Sequence, residues 1–368
     1  MKWILLISVL ACTFPTGVFS QMSYAAPGEN PIVIPVVVHI LYNTPGQNIS
    51  NEQVMSQIAA LNRDYRKKND DARYIPAAFK PLAADTHIEF RLATVDPSGV
   101  PTSGVTRTAT SSKSFGIDDK VKSALTGGQD GWNRNQYLNI WVCNLSGTEL
   151  GYSSLPGCVA EKDGVVIRYA VFGTTPNVAS PYNKGRTTVH EVGHWLGLRH
   201  FWGDSPCGDD KIDDTPPQKG PTRGCPSGVV STCTSGAAGN MYMNFMDFTN
   251  DACTSMFTVG QAAKMHQLFE DDGARVALLS SRKAEGASNL LVSEANEGIS
   301  VYPNPAFDML NIRLAGQAKQ VTIMNHLGQV CRSIVLTKNS VQVNIRDLAP
   351  GMYFVSAGNG KSWKFVKH

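Results

Sequence analysis

Residues 190–200 read HEVGHWLGLRH. His190 and His194 are four apart, so on an α-helix their imidazoles lie on one face, one turn apart, and reach a single ion. Glu191 points to the side of that face, placed to hold a water on the ion rather than the ion itself. Gly197 lets the chain leave the helix through a left-handed conformation that other residues resist. The turn brings His200 round as a third ligand. Three nitrogens leave the fourth tetrahedral position of Zn²⁺ open, the arrangement of a catalytic site. Such a site lowers the pKa of a bound water and polarises a carbonyl, and Glu191 stands where the general base is needed. A bare H-E-x-x-H arises easily by chance on a charged helix face. The longer pattern fixes five residues in eleven, in a chain with 8 histidines among 368 residues.

The extended run resembles that of the metzincins, zinc proteases with a methionine in a tight turn beneath the metal. The segment GNMYMNFMDFTNDACTSMF (239–257) follows His200, and Met246 is the expected Met-turn residue, a soft apolar floor under the imidazoles. Met241 and Met243 are expected to be ordinary core. At this point residues 31–280 resemble the pappalysin family. The resemblance rests on VVVHILYN near the start, LNIWVCNL (138–145), the zinc run, DDTP (213–216) and NFMDFTNDACTSMF.

The resemblance implies an α+β metzincin catalytic domain: a mixed twisted sheet carrying long helices, with the zinc cleft below it. It implies a zinc-dependent endopeptidase acting on protein or peptide substrates. The family usually has tyrosine two residues after the Met-turn methionine, and its hydroxyl helps stabilise the tetrahedral intermediate. Here that position is Phe248, so the hydroxyl is absent and another donor must serve. Asp251 matches an acid at the base of the pocket for the residue after the scissile bond. A carboxylate there would select Arg or Lys through a charge-assisted contact, which predicts cleavage before basic residues.

Of 8 cysteines, Cys12 lies in the leader and four cluster beside the zinc run: Cys207, Cys225, Cys233 and Cys253. In an exported protein such a cluster reads as disulfides. Four cysteines allow three pairings, among which the residues alone do not choose. The resemblance implies Cys207–Cys233 and Cys225–Cys253. A second zinc site is the rival reading, but no C-x-x-C pair supports it. Cys143 reads as a buried thiol, and Cys158 and Cys331 have no evident partner. The loop GDDKIDDTPP (208–217) crowds four aspartates between Gly and Pro, hard oxygen ligands that suit Ca²⁺. By the resemblance, Asp210 and Thr215 are its expected ligands.

Length suggests two domains after a leader. A hydrophobic fraction of 42% is ample for a large core, and a net charge of +3 without a basic block gives no support to nucleic-acid binding. Residues 1–20 have the pattern of a secretory signal: Lys2, the apolar run WILLISVLA, then a polar stretch ending at Ser20. That run is too short for a stable membrane span. Roughly ten residues separate the leader from the first strand, IVIPVVVHILY (32–42), and none is cysteine, so a cysteine block of the zinc is excluded there. Strands are expected at 87–95, 136–144 and 164–172. Helices are expected behind Ser50, with Val54, Ile58, Leu61 and Tyr65 on one face, at 187–198, and from Thr258 to about residue 270. Ser50/Gln53 and Thr258/Gln261 are both capping-box patterns. Single histidines at 39, 87 and 266 read as core or surface residues rather than ligands.

Residues 281–298 lack an apolar period and read as a linker. From 299 to 368, short alternating runs broken by turn signals predict a small β-sandwich. VYPNPAFDMLNI (301–312) and LAPGMYFV (348–355) resemble the C-terminal sorting domain of the Bacteroidetes type IX secretion system. That resemblance implies the type IX machinery as a partner and a secreted or cell-surface location. Two other functions fit part of the pattern. A non-catalytic binding protein on the same frame would have no need of Glu191. A zinc amidase acting on the cell wall would need the zinc site but not the Met-turn.

Overall fold

The computed structural model describes residues 30–233, 238–285, 299–302, 306–314, 320–325, 328–335, 340–356 and 362–367. The expected signal at 1–20, with Cys12, lies outside the described residues. The most apolar run of the chain forms β1 (Ile32–Tyr42), whose middle residues are almost completely buried. Continuous burial is what a strand covered on both faces requires. Strand β1 pairs in parallel with β2 (Ile88–Leu92) along its first half and β3 (Val105–Ala109) along its second, both on one side, and with β4 (Leu138–Cys143) on the other. Beyond β4 lie β6 (Val165–Arg168), parallel, and then β5 (Gly151–Ser153), antiparallel to β6 at the sheet edge. The sheet is therefore mixed, as expected. Strands β3 and β5 were not foreseen: β3 alternates only weakly, and β5 has just three residues.

Helix α1 (Asn51–Tyr65) buries Val54, Ile58, Leu61 and Tyr65 against this sheet. Ser50 Oγ accepts the Gln53 amide N–H, but the Gln53 side chain does not complete the capping box. It donates instead to the carbonyls of Tyr169 and Phe172, a tertiary use that outweighs the local one. At α3 (Val259–His266) the box is complete, with Thr258 and Gln261 exchanging both bonds. The expected third strand at 164–172 ends at Arg168 and continues as a short 3₁₀ turn. Residues 281–285, the first part of the expected linker, hydrogen-bond back to Thr94, and Lys283 Nζ donates to the Asp96 carbonyl.

The C-terminal residues form two antiparallel sheets. One has the order β10 (Val330–Val335), β9 (Gln320–Asn325), β12 (Gly351–Ser356), β13 (Ser362–Lys367); the other is β11 (Ser340–Asn344), β8 (Met309–Leu314), β7 (Ile299–Tyr302). Leu310, Ile312, Val321, Ile323, Val355 and Phe365 share one buried cluster drawn from both sheets. This is the small sandwich the alternating runs predict. Among the described residues no helix is long and apolar enough to cross a membrane.

Candidate active site

The zinc run forms helix α2 (Arg186–Trp195), shorter than the expected 187–198 because Gly197 ends it early. Gly197 has φ +86°, Gly197 N–H donates to the His194 carbonyl, and Leu198 N–H donates to that of Gly193. This paired closure is a Schellman motif, which needs a residue tolerant of left-handed backbone at that position. The same turn orients a ligand, because the Leu198 carbonyl accepts from His194 Nδ1 at 2.9 Å. The Phe245 carbonyl, one residue before Met246, accepts from His190 Nδ1 at 2.7 Å. Both Nε2 lone pairs are thereby aimed at one point.

His200 closes the set. The three Nε2 atoms lie 3.0, 3.1 and 3.2 Å apart. Nitrogens bound tetrahedrally to one Zn²⁺ at about 2.0–2.1 Å would sit about 3.3–3.4 Å apart, so the triangle fits that ion closely. Burial lowers the pKa of all three imidazoles, His200 to about 3. They are neutral across the physiological range, as ligands must be. Among the described residues they are the one group of His, Cys, Asp and Glu arranged to hold a metal.

Met246 is fully buried, and a Cβ built on Gly193 would come within 2.5 Å of its Sδ. Gly193 thus lets the Met-turn approach the helix between two ligands, a requirement the spacing alone does not reveal. The turn is held by Asn244, whose Oδ1 accepts the Met246 N–H and whose amide exchanges two bonds with Gln261 of α3. Met241 and Met243 lie in the core. Phe248 places its ring 5.4 Å from His190 and 4.9 Å from His200, and Trp202 stacks on His200 at 4.5 Å.

Three further contacts fix α2, and none was legible beforehand. Tyr65 Oη donates to the Val189 carbonyl at 3.1 Å. Buried Arg186 pairs with Asp71 at 2.7 Å and Asp64 at 3.3 Å, and donates to the Asp251 carbonyl. At the other end Asp163 accepts from Trp195 Nε1 and from buried Arg275, both at 2.7 Å.

A cleft of about 400 Å³ opens beside the helix, lined by Glu191, Glu149, Phe248, Arg223, Tyr182 and Asp251 among others. Burial, and then the neighbouring Glu149 carboxyl, push Glu191 up to about 8. Edge strand β5 runs along the cleft, which Gly151 lines. Asp251 is buried beneath it, and its Oδ2 accepts the N–H groups of Lys184 at 2.7 Å and Arg186 at 3.3 Å.

Cys207 is bonded to Cys233 and Cys225 to Cys253. Buried Cys143 has its thiol pushed up to about 12 by desolvation. The four aspartates of the 208–217 loop do not act together. Asp209 pairs with Lys211 on the surface, Asp213 is exposed, and Asp214 caps α3 through Thr258 Oγ1 and Gly260 N–H. Asp210 alone turns inward. Thr215 Oγ1 lies 2.8 Å from both Asp210 oxygens and 2.8 Å from the Ile212 carbonyl. One hydroxyl hydrogen cannot serve three acceptors, so the oxygens are over-supplied relative to protons, the donor chemistry a hard cation satisfies.

Comparison with known proteins points the same way. Residues 122–270 match the family described as Pregnancy-associated plasma protein-A, and residues 300–368 match the Secretion system C-terminal sorting domain. An extracellular metalloprotease of Arthroderma otae is 32% identical over 249 residues, covering 65% of this chain and 78% of its own. Extracellular metalloprotease 1 of Coccidioides posadasii is 28% identical, covering 66% and 78%. Mature mirolysin of Tannerella forsythia, in complex with a cleaved peptide, superposes with a TM-score of 0.67 at 48% identity, covering 68% of this chain and 96% of that one. A mutant of promirolysin from the same organism gives 0.66 at 47% identity, covering 68% and 85%.

Proposed function

Because the chain belongs to the pappalysin family of secreted metalloproteases, we propose that it is an endopeptidase in which Glu191 activates the attacking water and Asp251 selects a basic residue after the cut. The observation that carries this reading is the triangle of three Nε2 atoms 3.0–3.2 Å apart, with Glu191 following the first ligand and facing the same cleft. Zinc held by His190, His194 and His200 would supply an acidified water and a positive charge beside the substrate carbonyl. Glu191 takes the proton from that water as its oxygen bonds to the carbonyl carbon, and delivers it to the departing amine nitrogen as the C–N bond breaks. Glu191 is buried and lines the cleft in which that water would lie.

The free edge of β5 supports an extended substrate, since a peptide strand can add to it through backbone hydrogen bonds. Mirolysin, which shares this fold, is seen in complex with a cleaved peptide. Asp251 supports the preference for Arg or Lys. One carboxylate oxygen is engaged by the backbone of 184–186, and the residue lines the cleft floor. The over-supplied oxygens of Asp210, Thr215 and Ile212 support a Ca²⁺ site next to the active site. The sorting domain supports export by the type IX machinery, after a signal of the kind read at 1–20.

Replacing Glu191 by Ala tests the central claim. The variant should keep its zinc and lose proteolysis, and mass-spectrometric mapping of the parent's cuts in mixed proteins should place Arg or Lys after the scissile bond. Cleavage by Glu191→Ala at the parent's rate would sink the mechanism, and cuts without basic residues on the leaving side would sink the specificity.

A further inference from the structure

The cleft contains two arginines with opposite fates. Arg186 is buried and fully engaged by Asp64, Asp71 and the Asp251 carbonyl. Arg223 is exposed and, among the described residues, has neither an ion pair nor a hydrogen bond; its guanidinium instead faces the Phe248 ring, Cζ lying 5.7 Å from the centroid. Phe248 rests in turn against His190 and His200. Arg223 is thus one ring away from two of the three candidate zinc ligands, with five N–H donors uncommitted.

Its backbone, in contrast, is held on both sides. Thr222 N–H donates to Asp247 Oδ1 at 2.7 Å, Gly224 bridges to Thr249, the Gly224 carbonyl accepts the Asn250 N–H at 2.9 Å, and Cys225 is bonded to Cys253. All four ties run to the segment that follows Met246. A long cationic side chain on a fixed base, aimed into a cleft and left without a partner, is what a substrate-contacting donor looks like before substrate arrives. Tyr182, which also lines the cleft, belongs to the Asp251 end: Asp251 N–H donates to the Pro181 carbonyl next to it.

We propose that Arg223 is a catalytic residue that hydrogen-bonds the oxygen of the scissile carbonyl and stabilises the negative charge it gains as the carbon becomes tetrahedral. It would supply the donor that Phe248, lacking a hydroxyl, does not. The proposal rests on the endopeptidase reading above. The charge develops only in the transition state, so the contribution falls on kcat rather than on KM.

The test uses the full chain loaded with zinc, a fluorogenic peptide with Arg after the scissile bond, a phosphinic peptide of the same sequence that mimics the tetrahedral centre, and the corresponding product peptide. Arg223→Met keeps an apolar stem over Phe248 and removes every donor. It should lower kcat about 100-fold, in line with loss of one oxyanion donor, with KM within about threefold of the parent. The phosphinic peptide should lose affinity by the same factor in calorimetry, the product peptide should not, and zinc content and Tm should be unchanged. Arg223→Lys should recover part of kcat. Unchanged kcat in Arg223→Met overturns the proposal. So does a loss confined to KM, with phosphinic and product peptides weakened equally. Glu191→Ala run alongside separates the two levels: a parent no faster than that variant refutes the endopeptidase reading, whereas a fast parent matched by Arg223→Met refutes only the role of Arg223.

Discussion

Replacing Asp210 by Asn should reverse its effect on stability according to whether calcium is present. Burial raises the Asp210 carboxyl from an ordinary 3.8 to about 6. A folded-state pKa above the unfolded one means that the protonated acid is favoured by folding. That contribution is fully present below pH 3.8 and is lost as pH rises through 6. The span corresponds to about 3 kcal/mol at 1.36 kcal/mol per pH unit, and about 2 kcal/mol after discounting for partial solvent contact. Asn resembles the protonated acid: its carbonyl oxygen can still accept from Thr215 Oγ1 and the Ile212 N–H, as Asp210 Oδ1 does at 2.8 and 3.1 Å. Without calcium, and with zinc occupancy held equal, Asp210→Asn should therefore be about 2 kcal/mol more stable than the parent at about pH 7.5. At about 2–4 °C per kcal/mol for a domain of this size, that is a rise in Tm of about 4–8 °C. Roughly half of the difference should vanish at about pH 5. Calcium at about 100 times its Kd would add about 2.7 kcal/mol to the parent and much less to the variant, so the order should invert. Thermal unfolding at two pH values, with and without calcium, reads all four states. If calcium stabilises the variant as much as the parent, or if the variant is weaker by the same amount in every condition, the cation site is not at Asp210.

Other perturbations probe the rest of the site. Gly193→Ala drives a Cβ to 2.5 Å from Met246 Sδ; it should cost about 1–3 kcal/mol in urea unfolding through overpacking and weaken zinc retention under chelator challenge. Asp251→Asn removes the charge at the cleft floor, and profiling of a peptide library should show preference for Arg or Lys over neutral residues falling about 10–100-fold, the worth of one hydrogen bond to a charged group. Arg186→Met leaves Asp64 and Asp71 without their buried partner, and chemical denaturation should show a loss of about 3–5 kcal/mol. Opening Cys225–Cys253 by a double change to Ser, which frees a separation of 28 residues, should lower stability by about 3–4 kcal/mol and widen the spread of cut sites, since the bridge fixes the loop bearing Arg223 against the turn bearing Asp251.

The sequence by itself marked the candidate zinc ligands His190, His194 and His200, the glutamate beside them, the β-sandwich tail and the periodic elements β1, α1, β4 and α3. These are local properties: a spacing of four on a helix, a glycine that must be left-handed, an unbroken apolar run. Tertiary structure decided what depends on residues far apart in the chain. It brought the Phe245 carbonyl to His190 and the Asp163–Arg275 pair to the end of the zinc helix, and it took Gln53 from its expected cap to the carbonyls of Tyr169 and Phe172. It also dispersed the acidic loop, sending Asp214 to cap α3 and leaving Asp210 alone inside. Composition showed four carboxylates together; only packing decides which of them are kept from water. Arg223 lies 32 residues after Glu191 in a loop without periodicity, so no spacing rule marks it. Its place in the cleft follows from a bridge, a disulfide and an aromatic face that exist only once the chain is folded.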